Sequence, residues 1–182
     1  MPYLFFALGT FFLTVLCTIG VRWLAKKWQI VDAPAERKVH GRPIPLLGGA
    51  AIFVGFFAGL WLIKFFTPYL NGNLSDRQLW ALFLGGAILM IGGFLDDKFN
   101  LQPRYQIIFP IFAVLAVLCG GVNLKEITNP FGGTVDLNFW RWGAFVPLVQ
   151  LLVFGWLIGM MYTTKLLDGL DGLVAGLTAI GG

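Results

Sequence analysis

The sequence predicts an all-α fold, namely a polytopic bundle of transmembrane helices, and three observations support this prediction. Of the 182 residues, 58% are hydrophobic and only 12% are charged, whereas an average soluble domain has about 25% charged residues. The mean hydropathy is high, at +0.80. The apolar residues also gather into runs of about 20, the length that a helix needs to cross a bilayer. Membrane lipids are therefore the expected surroundings, and no nucleic-acid partner is expected.

Five apolar runs are interpreted as full spans. In chain order they cover residues 4–24, 44–66, 79–95, 105–120 and 142–162. A sixth run begins at residue 173 and reaches only residue 182. Half a span leaves backbone polar groups unsatisfied in lipid, so we expect residues 1–182 to be a single transmembrane domain that has been cut short.

Between the fourth and fifth spans, the sequence predicts a small extracytoplasmic hairpin. Pro130, Gly132 and Gly133 are turn formers, and residues 134–139 alternate between polar and apolar side chains as a strand does.

Crossing parity places three polar segments on one face of the membrane. With five spans, the loop after the first span and the ends of the third and fifth spans face the same side. Nine of the 13 Lys and Arg residues lie on that side, and Lys and Arg are enriched in cytoplasmic loops. The protein is therefore expected in the cytoplasmic membrane as a multi-pass protein, with its N-terminus outside. The expected cytoplasmic loops are residues 25–43, 96–104 and 163–172.

Two adjacent carboxylates, Asp96 and Asp97, end the third span. Acids at the C-terminus of a helix oppose its dipole, so a metal ion or a cationic side chain such as Lys98 or Arg104 would stabilise them. One acid could lie near a metal while the other acts as a base. The alternative is a pair of interfacial acids that only terminates the helix, and this pair alone does not decide between the two.

Asp168 and Asp171 form a second acidic pair after the fifth span. On a helical turn, residues three apart project from one face, and Gly169 and Gly172 let the backbone approach a ligand closely. Mg²⁺ typically takes one or two protein carboxylates and completes its shell with water and phosphate oxygens. An ordinary Asp-Gly turn between helices is the alternative. Two acidic pairs on one face favour a metal and phosphate site, and hence phosphoryl chemistry.

A basic segment, residues 32–49, lies on the same face. Its prolines make it stiff and extended. Four side chains could therefore be held over the acidic pairs to bind a lipid phosphate: Arg37, Lys38, His40 and Arg42. The alternative is a topology signal that also attracts anionic headgroups. His40 is the only histidine, and a lone histidine is more often a surface residue than a catalytic one.

These three segments, in this order and on one face, resemble the polyprenyl-phosphate N-acetylhexosamine-1-phosphate transferase superfamily, glycosyl transferase family 4. Residues 32–49 resemble its motif Asp-x-Pro-x-x-Arg-Lys-x-His-x-x-Pro-x-Pro-x-x-Gly-Gly. The Arg-Lys-x-His form is closer to the undecaprenyl-phosphate GlcNAc-1-phosphate branch than to the phospho-MurNAc-pentapeptide translocases. The first acid pair, followed by Leu101 and Pro103, is similar to the family's aspartate pair, and residues 168–173 are similar to its Asp-Gly-x-Asp-Gly-Leu motif. The resemblance covers nearly the whole chain but only about the N-terminal half of such an enzyme.

The resemblance implies a Mg²⁺-dependent glycosyl-1-phosphate transferase, with Mn²⁺ as an alternative ion. It implies transfer of a sugar-1-phosphate from a UDP-sugar to undecaprenyl phosphate with release of UMP. GlcNAc-1-phosphate is the preferred candidate for the transferred group. This would be the first membrane step of cell-envelope glycan synthesis. Asp168 would bind the metal with support from Asp97, and Asp96 would position or deprotonate the lipid phosphate, although the roles of Asp96 and Asp97 could be exchanged. Asp171 would orient the metal site or the uridine. A homodimer is left open.

The chain departs from the family pattern before its last motif. The family usually has Asn six and three residues before the first Asp of that motif, where this chain has Tyr162 and Lys165. Lys165 could contact a diphosphate, and Thr163 and Thr164 could supply hydroxyls to the substrate.

A second departure follows the first acid pair. After Pro103 the family commonly has Lys-Leu-x-x-Gln, where this chain has Gln106 in the Lys position and Pro110 in the Gln position.

Two functions from other classes also remain open. A transporter or channel carries intramembrane carboxylates, but it predicts acids near the bilayer midplane and interrupted helices, whereas these acids lie at helix ends. The other alternative is a non-catalytic half that binds a lipid phosphate or a partner subunit. Metal-dependent release of UMP would separate the enzyme from both.

Overall fold

A computed structural model of the protein describes residues 2–32, 44–68, 74–122, 124, 126–128, 134–136, 147–167 and 172–181. The helices in these ranges are α1 (Pro2–Lys27), α2 (Gly48–Phe66), α3 (Asp76–Phe99), α4 (Pro103–Gln106), α5 (Ile108–Cys119), α6 (Pro147–Leu167) and α7 (Leu173–Gly181). The strands are β1 (Val31–Asp32), β2 (Ile44–Pro45), β3 (Glu126–Thr128) and β4 (Thr134–Asp136). The predicted all-α helical bundle is confirmed.

Four helices, α1, α2, α3 and α6, are long and apolar enough to cross a membrane. They correspond to the first, second, third and fifth predicted spans. In the described ranges no polar or charged side chain is buried, whereas many large apolar side chains are exposed, among them Phe5, Leu16, Ile52, Leu151 and Trp156. An apolar exterior of this extent matches a lipid environment. The protein is a multi-pass membrane protein.

The fourth predicted span, residues 105–120, differs from the structure. The apolar helix there is shorter, and it is interrupted at Ile107 between α4 and α5. Pro110 explains the interruption, because it has no N–H to donate to the carbonyl of Gln106 and its ring would clash with that carbonyl. The 12 residues of α5 rise about 18 Å, which is less than the hydrocarbon thickness of about 30 Å.

The contact between α1 and α2 depends on two glycines four residues apart. A Cβ atom at Gly55 would collide with Thr14 of α1, and one at Gly59 would collide with Thr10. The Thr10 and Thr14 hydroxyls donate to carbonyls of their own helix, at 2.8 and 2.7 Å, so neither needs a partner in lipid. Small residues at such spacing allow transmembrane helices to approach closely.

An aromatic seam joins α2 to α3. The ring centroids of Phe57 and Phe83 are 5.1 Å apart, and those of Trp61 and Trp80 are also 5.1 Å apart. Near these rings, Lys64 at the end of α2 forms an ion pair with Asp76 at the start of α3. These contacts fix the two helices in antiparallel order.

The contact between α3 and α5 again uses glycines. A Cβ atom at Gly85 would lie 3.0 Å from the Ala113 carbonyl oxygen. Arg77 donates a hydrogen bond of 2.6 Å from Nη2 to the carbonyl of Cys119, so the start of α3 lies beside the end of α5. A Cβ atom at the adjacent Gly86 would lie 2.7 Å from the ring of Phe53 in α2, so this pair of glycines allows close packing on both sides of α3.

At the opposite end of the bundle, the ends of α1 and α3 meet the start of α2. Ala25, Ile30 and Leu47 form a buried cluster against which Leu46 and Phe94 pack. Strands β1 and β2 pair antiparallel beside this cluster. The acid pair of α3 and both flanks of the basic segment therefore lie at the same end, as crossing parity predicts.

Strands β3 and β4 form an antiparallel hairpin with Ile127 opposite Val135. This is the hairpin predicted between the fourth and fifth apolar segments. The following helix, α6, continues to Leu167, past the predicted end at residue 162. Thr164 and Lys165 therefore belong to a helix and not to a loop.

Candidate active site

The candidate site is built on the last turn of α3, which carries Asp96 and Asp97. The helix ends because Asn100 adopts a left-handed conformation with φ of 49°, and its N–H donates to the carbonyl of Asp96 at 2.8 Å. Asn tolerates this conformation better than most residues. The Asp96 side chain then accepts a hydrogen bond of 3.1 Å at Oδ1 from the N–H of Leu101. Asp96 is thus held at the turn by backbone contacts.

Gln106, in α4, reaches back to the same carboxylate. Its Nε2 donates to Asp96 Oδ1 at 2.8 Å and to the Leu101 carbonyl at 2.9 Å. Pro103, at the start of α4, is in a position where a missing N–H costs nothing. In the sequence, Gln106 stands out only as a departure from the family pattern. The signal that could have identified it is an amide side chain in a short segment that turns back after two acids.

Lys165 reaches this group from α6. Its Nζ donates to Gln106 Oε1 at 2.7 Å. The structure thereby brings together residues from the end of the third predicted span and the end of the fifth. Lys165 was predicted to contact a diphosphate; here its ammonium contacts an amide that is itself bound to Asp96.

Asp96 and Asp97 both line a cleft of about 330 Å³ together with Leu46, Asn100, Leu101 and Gln106. Both acids are half-buried. They lie at the end of a membrane helix and not at its middle, which disfavours a transporter or channel. Leu46 precedes α2 and forms part of the cleft wall, so the end of the basic segment lies beside the acids.

The basic residues nearest in sequence to the acid pair contact aromatic rings. The Lys98 ammonium lies 5.3 Å from the Phe99 ring centroid and 5.8 Å from that of Phe94. The Arg104 guanidinium lies 5.0 Å from the Tyr105 ring centroid. These cation–π contacts hold both side chains near the ring faces.

A larger cavity of about 840 Å³ adjoins the cleft, and Leu46 lines both. The basic side chains Arg22 and Lys26 of α1 contribute to its wall, as does Gln29. This end of the bundle therefore combines a cationic cavity with an acidic cleft.

Thr164 makes a contact of another kind. Its Oγ1 donates to the carbonyl of Met160 at 2.8 Å, so the hydroxyl is engaged with its own helix. Its predicted role toward the substrate stays a prediction.

The other predicted site residues lie outside the described residues: Arg37, Lys38, His40, Arg42, Asp168 and Asp171. The described residues flank them closely. Leu167 ends α6, and Gly172, with φ of +80°, precedes α7. The roles assigned to these six residues stay predictions.

In the described part of the chain, no three His, Cys, Asp or Glu side chains come together as a metal-binding group. Asp96 and Asp97 supply two hard oxygen donors. This set fits Mg²⁺, which binds through one or two carboxylates and leaves its remaining positions to water and phosphate oxygens.

Comparison with known proteins identifies the family. The family model described as glycosyl transferase family 4 matches residues 79–182. The chain belongs to glycosyl transferase family 4. The matched range of this family 4 chain includes the acid pair, Gln106 and Lys165. No solved structure matches it.

The relatives of this family 4 chain support the branch that its sequence predicts. It is 33% identical to the probable undecaprenyl-phosphate N-acetylglucosaminyl 1-phosphate transferase of Bacillus subtilis, over 93% of the chain and 43% of the relative. It is 30% identical to the undecaprenyl-phosphate alpha-N-acetylglucosaminyl 1-phosphate transferase of Thermotoga maritima, over 94% of the chain and 46% of the relative. It is 29% identical to the decaprenyl-phosphate N-acetylglucosaminephosphotransferase of Mycobacterium tuberculosis, over 92% of the chain and 40% of the relative. The chain spans less than half the length of these relatives.

Proposed function

We propose that the protein transfers a sugar-1-phosphate from a UDP-sugar to undecaprenyl phosphate and releases UMP. GlcNAc-1-phosphate is the preferred candidate for the transferred group. The relatives named for this class of transfer support the proposal. The observation that carries it is the cleft with two carboxylates at the end of a membrane helix, where Lys165 is linked to Asp96 through Gln106. Such a cleft lies where a lipid phosphate and a water-soluble nucleotide can meet.

The reaction balances as a displacement at phosphorus. An oxygen of the lipid phosphate forms a bond to the β-phosphorus of the UDP-sugar, and the bond from that phosphorus to the bridging oxygen breaks. The bridging oxygen leaves with UMP, and the sugar stays attached through its phosphate to the lipid. Phosphoryl transfer of this kind depends mainly on positioning and on charge stabilisation.

The residues of the chain divide these tasks. Asp96 would position the lipid phosphate or accept its proton, because two hydrogen bonds fix the Asp96 carboxylate through Oδ1 and neither of them uses Oδ2. Asp97 and Asp168 would hold Mg²⁺, or Mn²⁺ in its place. When bound, the ion supplies charge stabilisation at the diphosphate oxygens. Asp171 would orient this site or the uridine.

The basic side chains are assigned to the acceptor. Arg37, Lys38, His40 and Arg42 would attract the lipid phosphate, and the helices would accommodate its tail. Crossing parity and the distribution of Lys and Arg support a cytoplasmic membrane location, with the N-terminus outside and the active site facing the cytoplasm.

The test is an assay of UMP release and lipid product in membranes that contain the protein. UDP-GlcNAc and undecaprenyl phosphate are supplied with Mg²⁺, and then with EDTA. We expect both products in equal amounts with Mg²⁺, their loss with EDTA, and their recovery when Mg²⁺ or Mn²⁺ is restored. Inserted protein that releases no UMP with Mg²⁺ would contradict the proposal and favour a non-catalytic lipid-phosphate-binding protein.

A further inference from the structure

Three side chains from three helices form one continuous chain of hydrogen bonds beside the cleft. Lys165 Nζ in α6 donates to Gln106 Oε1 at 2.7 Å. Gln106 Nε2 in α4 donates to Asp96 Oδ1 in α3 at 2.8 Å and to the Leu101 carbonyl at 2.9 Å. A cation and a carboxylate are thus connected through one amide.

The chemistry of the partners fixes the orientation of this amide. An ammonium group only donates, whereas an ionised carboxylate and a carbonyl only accept. The amide oxygen must therefore face Lys165 and the amide nitrogen must face Asp96. A flipped Gln106 would place donor against donor at Lys165, and acceptor against acceptor at both Asp96 and Leu101.

An oriented amide of this kind transmits electrostatic stabilisation. Its negative end faces the cation and its positive end faces the carboxylate, and hydrogen bonds in series polarise one another. Both end contacts involve a charged group, which makes them stronger than neutral hydrogen bonds. Lys165 can therefore offset the unfavourable placement of Asp96 at the helix C-terminus without occupying the carboxylate itself.

Lys165 and Gln106 contact each other directly, at 2.7 Å. An amide at either of these two positions can therefore pair with a cation at the other.

We propose that Gln106 is a positioning residue and that Lys165 acts on Asp96 through it. This inference rests on the proposed function and assigns Lys165 a role other than direct contact with the diphosphate. The bound Asp96 carboxylate keeps one orientation toward the lipid phosphate, so the pair affects turnover more than substrate affinity.

The experiment compares four proteins in membranes: the wild type, Lys165→Asn, Gln106→Lys and the double variant. Transfer of GlcNAc-1-phosphate is measured as kcat and as KM for UDP-GlcNAc. We expect each single change to lower kcat about tenfold, a typical size for coupled neighbours, with KM little changed. The double variant restores a cation–amide pair and should recover most of kcat. Lys64→Asn, which removes a lysine at the other end of the bundle, is the matched control and should transfer normally.

Two outcomes would overturn the inference while leaving the proposed function in place. In the first, Lys165→Asn raises the KM for UDP-GlcNAc and adding Gln106→Lys does not restore it. That result would indicate direct contact between Lys165 and the diphosphate. The other is a pair of single variants that both turn over normally. If Lys165→Asn does not reach the membrane, Lys165→Met, which keeps the length of the side chain, replaces it.

A second readout separates this inference from the proposed function. If the wild type transfers no sugar phosphate, the proposed function fails, but the pair can still be measured by thermal unfolding of the same four proteins in detergent. The pairing would be supported if the double variant loses less stability than the two single variants lose in sum. Additive changes would overturn it.

Discussion

The N–H of Leu46 donates a hydrogen bond of 3.1 Å to the carbonyl of Ile30. The two ends of the segment between these residues therefore lie side by side, next to the buried cluster at the end of α1. Leu46 also lines the acidic cleft. One contact thus ties the ends of the basic segment to the place where the carboxylates lie. This geometry is consistent with the proposed binding of a lipid phosphate.

Replacing Asp168 by Asn should abolish transfer while membrane insertion is retained, because an amide is a far weaker ligand than a carboxylate for a hard cation. We expect a loss of at least about a hundredfold in UMP release, with an unchanged amount of protein in the membrane. The matched control is Asp76→Asn, which makes the same change at the other end of α3. Normal turnover by Asp168→Asn would contradict its assignment to the metal.

Two replacements of Asp96 should separate the effect of its charge on transfer from the effect of its hydrogen bonds on stability. In Asp96→Asn, the side-chain oxygen can still accept from Leu101 and Gln106, so the fold should be kept while transfer falls about a hundredfold. In Asp96→Ala, both donors lose their acceptor, which should cost about 1–3 kcal/mol of stability as well. Thermal unfolding and UMP release distinguish the two variants. Equal stability of both would mean that the two hydrogen bonds contribute little.

Removing charge from the basic segment should weaken acceptor binding. We expect Arg37→Gln with Lys38→Gln to raise KM for undecaprenyl phosphate about tenfold or more, with a smaller change in KM for the UDP-sugar. The comparison variant is Lys125→Gln, which removes a lysine from the hairpin region. An equal rise in both KM values would count against a specific role in binding the lipid phosphate.

A single methyl group should disturb the pairing of α1 with α2. Gly55→Ala places a Cβ atom against Thr14, and overpacking of this kind costs about 1–3 kcal/mol. Gly20→Ala is the matched control, because a Cβ atom there meets nothing within 4 Å and Ala favours helix by up to about 1 kcal/mol. Thermal unfolding in detergent should show a lower midpoint for Gly55→Ala alone. A lower midpoint for both would mean that the effect does not come from this contact.

Sequence reasoning predicted the arrangement of helices because hydropathy and crossing parity are properties of whole segments. Parity placed the ends of the third and fifth spans on one face, and the link from Asp96 to Lys165 shows in addition that these ends meet. The close approach of α1 to α2 at Gly55 and Gly59 was not predicted from the sequence, because it depends on which residues face the neighbouring helix.

Two features depend on local geometry that hydropathy does not report. Ile107 lies inside a predicted apolar span, yet the helix breaks there because Pro110 removes one hydrogen bond. Gln106 looks like a substitution of low importance in the sequence, because its role depends on contacts with two residues from other helices. The role of an amide that bridges two charges can be recognised only when the structure shows both of its partners.

The threonine–glycine contact also bears on the order of events during synthesis. Every atom that joins α1 to α2 through Gly55 and Gly59 belongs to the first 66 residues, so this hairpin can close as soon as its second helix has entered the bilayer. The acids of α3 are added later along the chain. The carboxylates of α3 can thus enter a membrane that already holds a packed pair of helices, and α3 can pack directly against that pair.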